Sequence, residues 1–233
     1  MRHIGILNRS KKVTDEHARL MTEACYRQLR RHAAPAWGKM PYPVFFYPDE
    51  DSVPDDADQI VLLDTPDLAG ALGYHSETPR GRIYGKVFTG PILKNGGTFF
   101  EGANSISCTL SHEVLEQFLD PDCNLYADDG TGRLFSLEVC DPVEADSYVI
   151  RVNGQAISVS NFVFPEWFDR ENAKDSRFDQ MGVLKAPFTM SEGGYYVVRK
   201  SQPEKEVFAR RYPTWKKAGK IHPAARTARR QKA

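Results

Sequence analysis

No run in this sequence approaches the roughly 20 consecutive apolar residues that cross a bilayer, which excludes a transmembrane helix. Its four cysteines, Cys25, Cys108, Cys123 and Cys140, form no CxxC pair and no disulfide-framework spacing. They therefore read as reduced thiols in a cytoplasmic protein. No His/Asp pattern accompanies them, which argues against thiol catalysis. The opening MRHIGILNRSKK reaches charge too soon for a signal peptide. Internal repeats are lacking, as is any linker-like stretch before about residue 200. Net charge is lacking too, since 31 basic side chains balance 31 acidic ones.

What is present is enough apolar material for a core. The 233 residues are 41% apolar and 11% aromatic, which excludes wholesale disorder and suits one domain, or one domain and a tail. The charge is unevenly placed. Residues 199–233 carry twelve Lys/Arg against two Glu, leaving 19 basic and 29 acidic side chains in the remainder. The division expected is a domain over 1–200 and a basic C-terminal extension over 201–233. The basic stretch 199–233 reads as a contact for nucleic acid or an acidic partner, or as a solvated tail on the acidic body.

Along the chain, HIGIL (3–7) suits a strand, and residues 14–33 a helix capped by Thr14 with Asp15 and Glu16 in its first turn. Ala18, Met21, Cys25 and Leu29 recur at helical spacing and mark a buried face. VFFY (44–47) and IVLLD (60–64) suit strands, the second central in a sheet. GRIYGKVFTG (81–90), with glycines near both ends, suits an edge strand. A helix follows at 107–119, stopped by Asp120-Pro121. Asn153-Gly154 between alternating runs predicts a type I′ hairpin, and YYVVRK (195–200) a last strand.

The helix at 107–119 carries the chemistry. His112 and Glu116 lie four residues apart, on one face and one turn apart, so both can grip one ion. Glu113 is adjacent and can reach a water held by that ion, in the HExxH pattern of a general base between two ligands. Downstream, in LEVCDPVEADSY, Glu138 is a candidate third ligand, since hydrolytic zinc sites have three protein ligands and one open position. Asp141 is placed to bond the far nitrogen of His112 and fix the ring. Glu144 is the rival third ligand or a further stabiliser. Without these neighbours, the pattern would read as an exposed face on which His112 pairs with Glu116.

HEVLE followed by EVCD resembles the active site of the zincin metalloproteases, especially the branch whose third ligand is a downstream Glu. An Asp shortly after that Glu supports a ligand histidine there, and Asp141 matches the role. The resemblance implies a sheet lobe whose edge strand, here GRIYGKVFTG, lines a cleft and pairs with an extended peptide. The wider sequence also resembles uncharacterised proteins of tailed phages and prophages. By element order the likeness covers residues 3–170; by motif it covers about 35 residues.

One departure stands out: the second histidine of the zincin motif is Glu116 here. Two carboxylates on a divalent cation make a formally neutral centre and weaken its power to acidify water. Oxygen ligands also favour manganese or calcium beside zinc. The expectation is thus an α+β, zincin-like metalloprotease domain with a mixed sheet, an active-site helix and a smaller irregular C-terminal lobe. His112, Glu116 and Glu138 would hold a divalent metal, zinc first, with Glu113 as base and Asp141 and Glu144 in support. The substrate would be an extended peptide, and the setting cytoplasmic, or a virion if the protein is phage-encoded. The alternative is an inactive structural or partner-binding protein that keeps the fold.

Overall fold

The computed structural model describes residues 2–68, 71–78, 81–171, 176–200 and 204–217. Strand β1 (Ile4–Asn8) leads to helix α1 (Asp15–Gln28), where Thr14 Oγ1 accepts the amide of His17 at 3.1 Å. That bond satisfies one of the free amides at the helix start. Ala18, Met21, Cys25 and Leu29 are fully buried, as their spacing predicts. The helix widens into a π-helical turn at Leu29–Ala33 and ends in α2 (Ala34–Ala36), ahead of β2 (Val44–Tyr47).

Strands β3 (Asp58–Leu63), β4 (Gly73–Glu77) and β5 (Ile83–Phe88) complete a five-stranded sheet of order β2-β1-β3-β5-β4. The first four strands are parallel, β4 pairs antiparallel with β5, and β3 is central as expected. The expected edge strand is a correction. Residues 83–88 are paired on both sides, and the edge is β4. The glycine in β5 marks a close approach rather than an edge. A Cβ on Gly85 would meet Ile60 Cγ1 at 2.9 Å and Gln117 Oε1 at 3.2 Å.

After α3 (Thr89–Lys94) comes the long helix α4 (Ile106–Leu119). Its Ile106, Leu110, Val114, Leu115, Phe118 and Leu119 enter the main core with α1 and the sheet. The rest is built from short strands. Strands β6 (Tyr126–Asp128), β7 (Leu134–Ser136), β10 (Tyr195–Arg199) and β11 (Lys205–Phe208) form an antiparallel sheet of order β11-β10-β7-β6. Strands β8 (Ser147–Val152) and β9 (Gln155–Ser160) form the predicted hairpin, with Asn153 at φ 50° and Gly154 at φ 84°.

Folded structure continues into the stretch read as a basic extension. Strand β11 pairs with β10, and Tyr212, just before α5 (Thr214–Lys217), packs on Tyr195 and Phe208. Residues 201–203 and 218–233 of that extension lie outside the described residues. Among the described residues no helix is long and apolar enough to cross a membrane. The architecture is mixed α+β.

Candidate metal centre

Helix α4 is fixed at both ends and along one side. At its start, Ser105 Oγ accepts the amide of Cys108 at 3.2 Å. Ser107 Oγ donates to the Ser158 carbonyl at 2.7 Å, and the Ser160 amide donates to Ser111 Oγ at 2.7 Å, tying the helix to β9. At its end, Pro121 forces Asp120 out of helical geometry. The Asp120 carboxylate then accepts the amides of Asn124 and Leu125, each at 3.0 Å. The acidic run 120–128, which outwardly resembles a calcium loop, begins as this capped turn.

With the helix so held, His112 Nε2 lies 3.1 Å from Glu116 Oε2, the pairing the four-residue spacing predicts. Glu116 is 2% exposed, and its Oε1 accepts the amide of Cys140 at 3.2 Å. That bond links α4 to the turn carrying Glu138 and Asp141. Asp141 Oδ1 lies 3.3 Å from His112 Nε2. It meets the same ring nitrogen that faces Glu116, not the far one. Neither Asp141 oxygen has a hydrogen-bond partner among the described residues, so this ion pair is its contact there.

Among the described residues, two groups of three side chains bring ligand atoms within 4.8 Å of one another: His112, Glu116 and Cys140, and His75, Glu113 and Glu116. Neither contains Glu138, the expected third ligand. Glu138 is nevertheless buried, and its charge acts on His75, Glu116 and Asp120. Tyr212 donates to Glu144 at 2.7 Å and Lys216 approaches it at 3.4 Å, so Glu144 anchors the C-terminal segment. Tyr148 hydrogen-bonds Gln28 and His32.

Glu113, the expected base, is 5% exposed. Its Oε2 lies 3.6 Å from His75 Nδ1 on β4. Its Oε1 rests against the bare α-carbon of Gly73, where a Cβ would come within 2.5 Å. His75 is the functional candidate that no sequence spacing identifies. Its Nε2 sits 3.1 Å from the carbonyl of Asp120. A carbonyl only accepts, so Nε2 carries the hydrogen and Nδ1 is the atom turned toward Glu113.

The electrostatics are those of crowded, buried anions. Glu113, Glu116, Asp120, Glu138 and Asp141 are all buried near one another. Burial above all pushes Glu116 up to about 8, Asp141 and Glu138 adding to the effect while His112 opposes it. Burial likewise lifts Asp120 to about 6, with Glu138 contributing. Burial alone would lower both histidines. Glu116, Asp141 and Glu113 instead hold His112 well above the usual histidine range. Cys123, Glu113 and Glu138 do the same for His75. The Cys140 thiol is pushed up by burial and by Glu116. Without metal, protons held on Glu116, Asp120 and the two histidines offset this charge; a divalent cation does so with more charge in one place.

Comparison with known proteins returned no matching family model, no matching curated protein and no matching solved structure, so the functional reading rests on the geometry of this site.

Proposed function

We propose that the chain binds a divalent metal beside α4, with His112 and Glu116 as its central ligands, and that it is a zincin-like, metal-dependent peptide hydrolase. The observation that carries the metal is the 3.1 Å approach of His112 Nε2 to Glu116 Oε2 within a buried excess of carboxylates. Asp141, 3.3 Å from His112 Nε2, and Cys140 flank the pair, and Glu138 is the buried carboxylate whose charge acts on Glu116. One imidazole among carboxylates suits zinc or manganese, with calcium as the harder alternative. The antiparallel edge strand β4 beside α4 supports the zincin-like part, because that resemblance implies an edge strand along the cleft.

When bound, the metal supplies Lewis acidity at the scissile carbonyl. The chain's own part falls to Glu113, which takes a proton from the attacking water and returns it to the leaving amine. An extended peptide would lie along the edge strand β4, displacing the Cys123 thiol that donates to the His75 carbonyl. The 199–233 stretch would bind an acidic partner or nucleic acid, in a cytoplasmic or virion setting.

One observation favours a second reading. Glu113 is covered by Gly73 and engaged with His75, whereas a working base needs access to solvent and substrate. A structural or partner-binding protein, including one of a virion, would keep the fold and could bury this carboxylate in a salt bridge. The test is metal content after purification without chelators, followed by a broad peptide library assayed with zinc, manganese and calcium. Metal-dependent cleavage supports the hydrolase; metal without cleavage transfers the site to the second reading. No metal uptake overturns the metal centre and the hydrolase with it.

A further inference from the structure

We propose that β4 and α4 hold a second cation position, formed by His75, Glu113 and Glu116, that shares Glu116 with the His112 side. The inference rests on the metal-binding part of the reading above and reassigns Glu113 from base to ligand. The three ligand atoms lie within 4.8 Å of one another, and none of the three residues is more than 5% exposed. They come from two elements separated in sequence, so neither the spacing within a helix nor that within a strand brings them together.

The histidine is oriented for the task. Its Nε2–H is held by the Asp120 carbonyl at 3.1 Å, which leaves Nδ1 facing Glu113 Oε2 at 3.6 Å. A backbone carbonyl on the far ring nitrogen is the usual companion of a metal-bound imidazole. Glu113 reaches this position because residue 73 is glycine; a Cβ there would lie 2.5 Å from Glu113 Oε1.

A further donor stands beside the group. Gln117 is fully buried, and neither atom of its amide has a hydrogen-bond partner among the described residues. Its Oε1 lies 3.2 Å from the position a Cβ on Gly85 would take, and Gly85 is the register partner of His75. Cross-strand partners project to the same face, so the amide sits next to the imidazole. Amide oxygens, carboxylates and one imidazole make a ligand set for a manganese- or zinc-class dication. Two ions joined by a carboxylate sit about 3.5–4 Å apart in known two-metal sites. The proposal accounts for the burial of Glu113, which a free base leaves unexplained.

The experiment uses the full chain, stripped with chelator, dialysed and loaded with manganese. Two ions per chain are expected, with an exchange-coupled paramagnetic resonance spectrum because Glu116 is shared. His75→Ala and Glu113→Gln should each leave one ion and an uncoupled six-line spectrum. Should His75→Ala fail to fold, the near-isosteric Glu113→Gln and the wild-type spectrum decide. One uncoupled ion in the wild type, unchanged by Glu113→Gln, overturns the second position and leaves the His112 side intact. Two uncoupled ions that survive Glu113→Gln also overturn it. No ion at all overturns the metal reading itself.

Discussion

Helix α4 buries two sets of side chains, an apolar side and a polar side interleaved along neighbouring stripes, that differ in how their groups are satisfied. In one, Ile106, Leu110, Val114 and Phe118 are at most 2% exposed and meet other apolar side chains of the main core. In the other, Glu113, Glu116 and Gln117 are at most 5% exposed, yet the two carboxylates meet imidazoles and the Gln117 amide has no hydrogen-bond partner among the described residues. Equal burial therefore has opposite energetic meaning. Apolar burial stabilises by about 25 cal/mol per Å², whereas crowded anions cost free energy until a cation joins them. A fold that keeps the second side is using the stability of the first to hold a charged site in place.

The sharpest way to break this contrast is from the apolar side. Leu110→Ala should cost about 2–5 kcal/mol, from lost transfer energy and the cavity left behind. The cost should be the same with chelator and with metal, as measured by denaturant melts. A cost that disappears with metal would mean the two sides are not separable.

The polar side should respond to metal and to pH. At a free metal concentration 100 times Kd, binding to the native state alone adds about 2.7 kcal/mol. Without metal, stability should fall as pH rises. Glu116 holds its proton up to about 8 in the fold and only to about 4.5 unfolded, so its contribution is full below 4.5 and lost through about 8. Asp120, raised to about 6, acts in the same sense over a lower window. His112 and His75, raised above about 6.5, lose theirs as pH climbs through their folded values. Saturating metal displaces these protons and should flatten the decline. Melting temperature between pH 5 and 9, with and without metal, checks this; a decline unaffected by metal would contradict it.

A smaller effect sharpens the comparison at one atom pair. Asp141→Asn removes a buried charge whose oxygens have no hydrogen-bond partner among the described residues. Metal-free stability should change by no more than about 1 kcal/mol, or rise, because His112 keeps Glu116 as its partner at 3.1 Å and the crowding of Glu116 by Asp141 is relieved. The metal-induced shift in Tm should shrink. Asp141→Asn leaving that shift whole would remove Asp141 from the ion's surroundings. The smallest effect lies far from the site: Gly154→Ala at φ 84° should cost about 1 kcal/mol and leave metal binding alone.

The two sides also differed in how far they could be read from sequence. The Thr14 cap, the buried stripe of α1, the stop at Asp120-Pro121 and the Asn153-Gly154 hairpin depend on neighbours within a few residues, and the structure has them. The pairing of His112 with Glu116 is of that kind. Strand β4 was missed because its inward residues, His75 among them, are polar where they face the site, which erases the alternation of a half-buried strand. Strands β6, β7 and β11 are only three or four residues long, too short for a period to emerge. The nearness of Asp141 to His112 is legible, but the far nitrogen expected for it is not the one it meets, because the path from Asp120 to Cys140 is set by long-range contacts. His75 meets α4 through the register of a sheet, and no local spacing encodes that.

The most direct test of the central claim is an equilibrium titration of the chelator-stripped full chain with zinc and with manganese, alongside His112→Ala checked for folding by circular dichroism. The account predicts saturable binding of at least one ion by the wild type. The His112→Ala variant should lose the ion that depends on the His112–Glu116 pair. A wild-type chain that takes up neither metal, or a folded His112→Ala variant that binds as the wild type does, would contradict it.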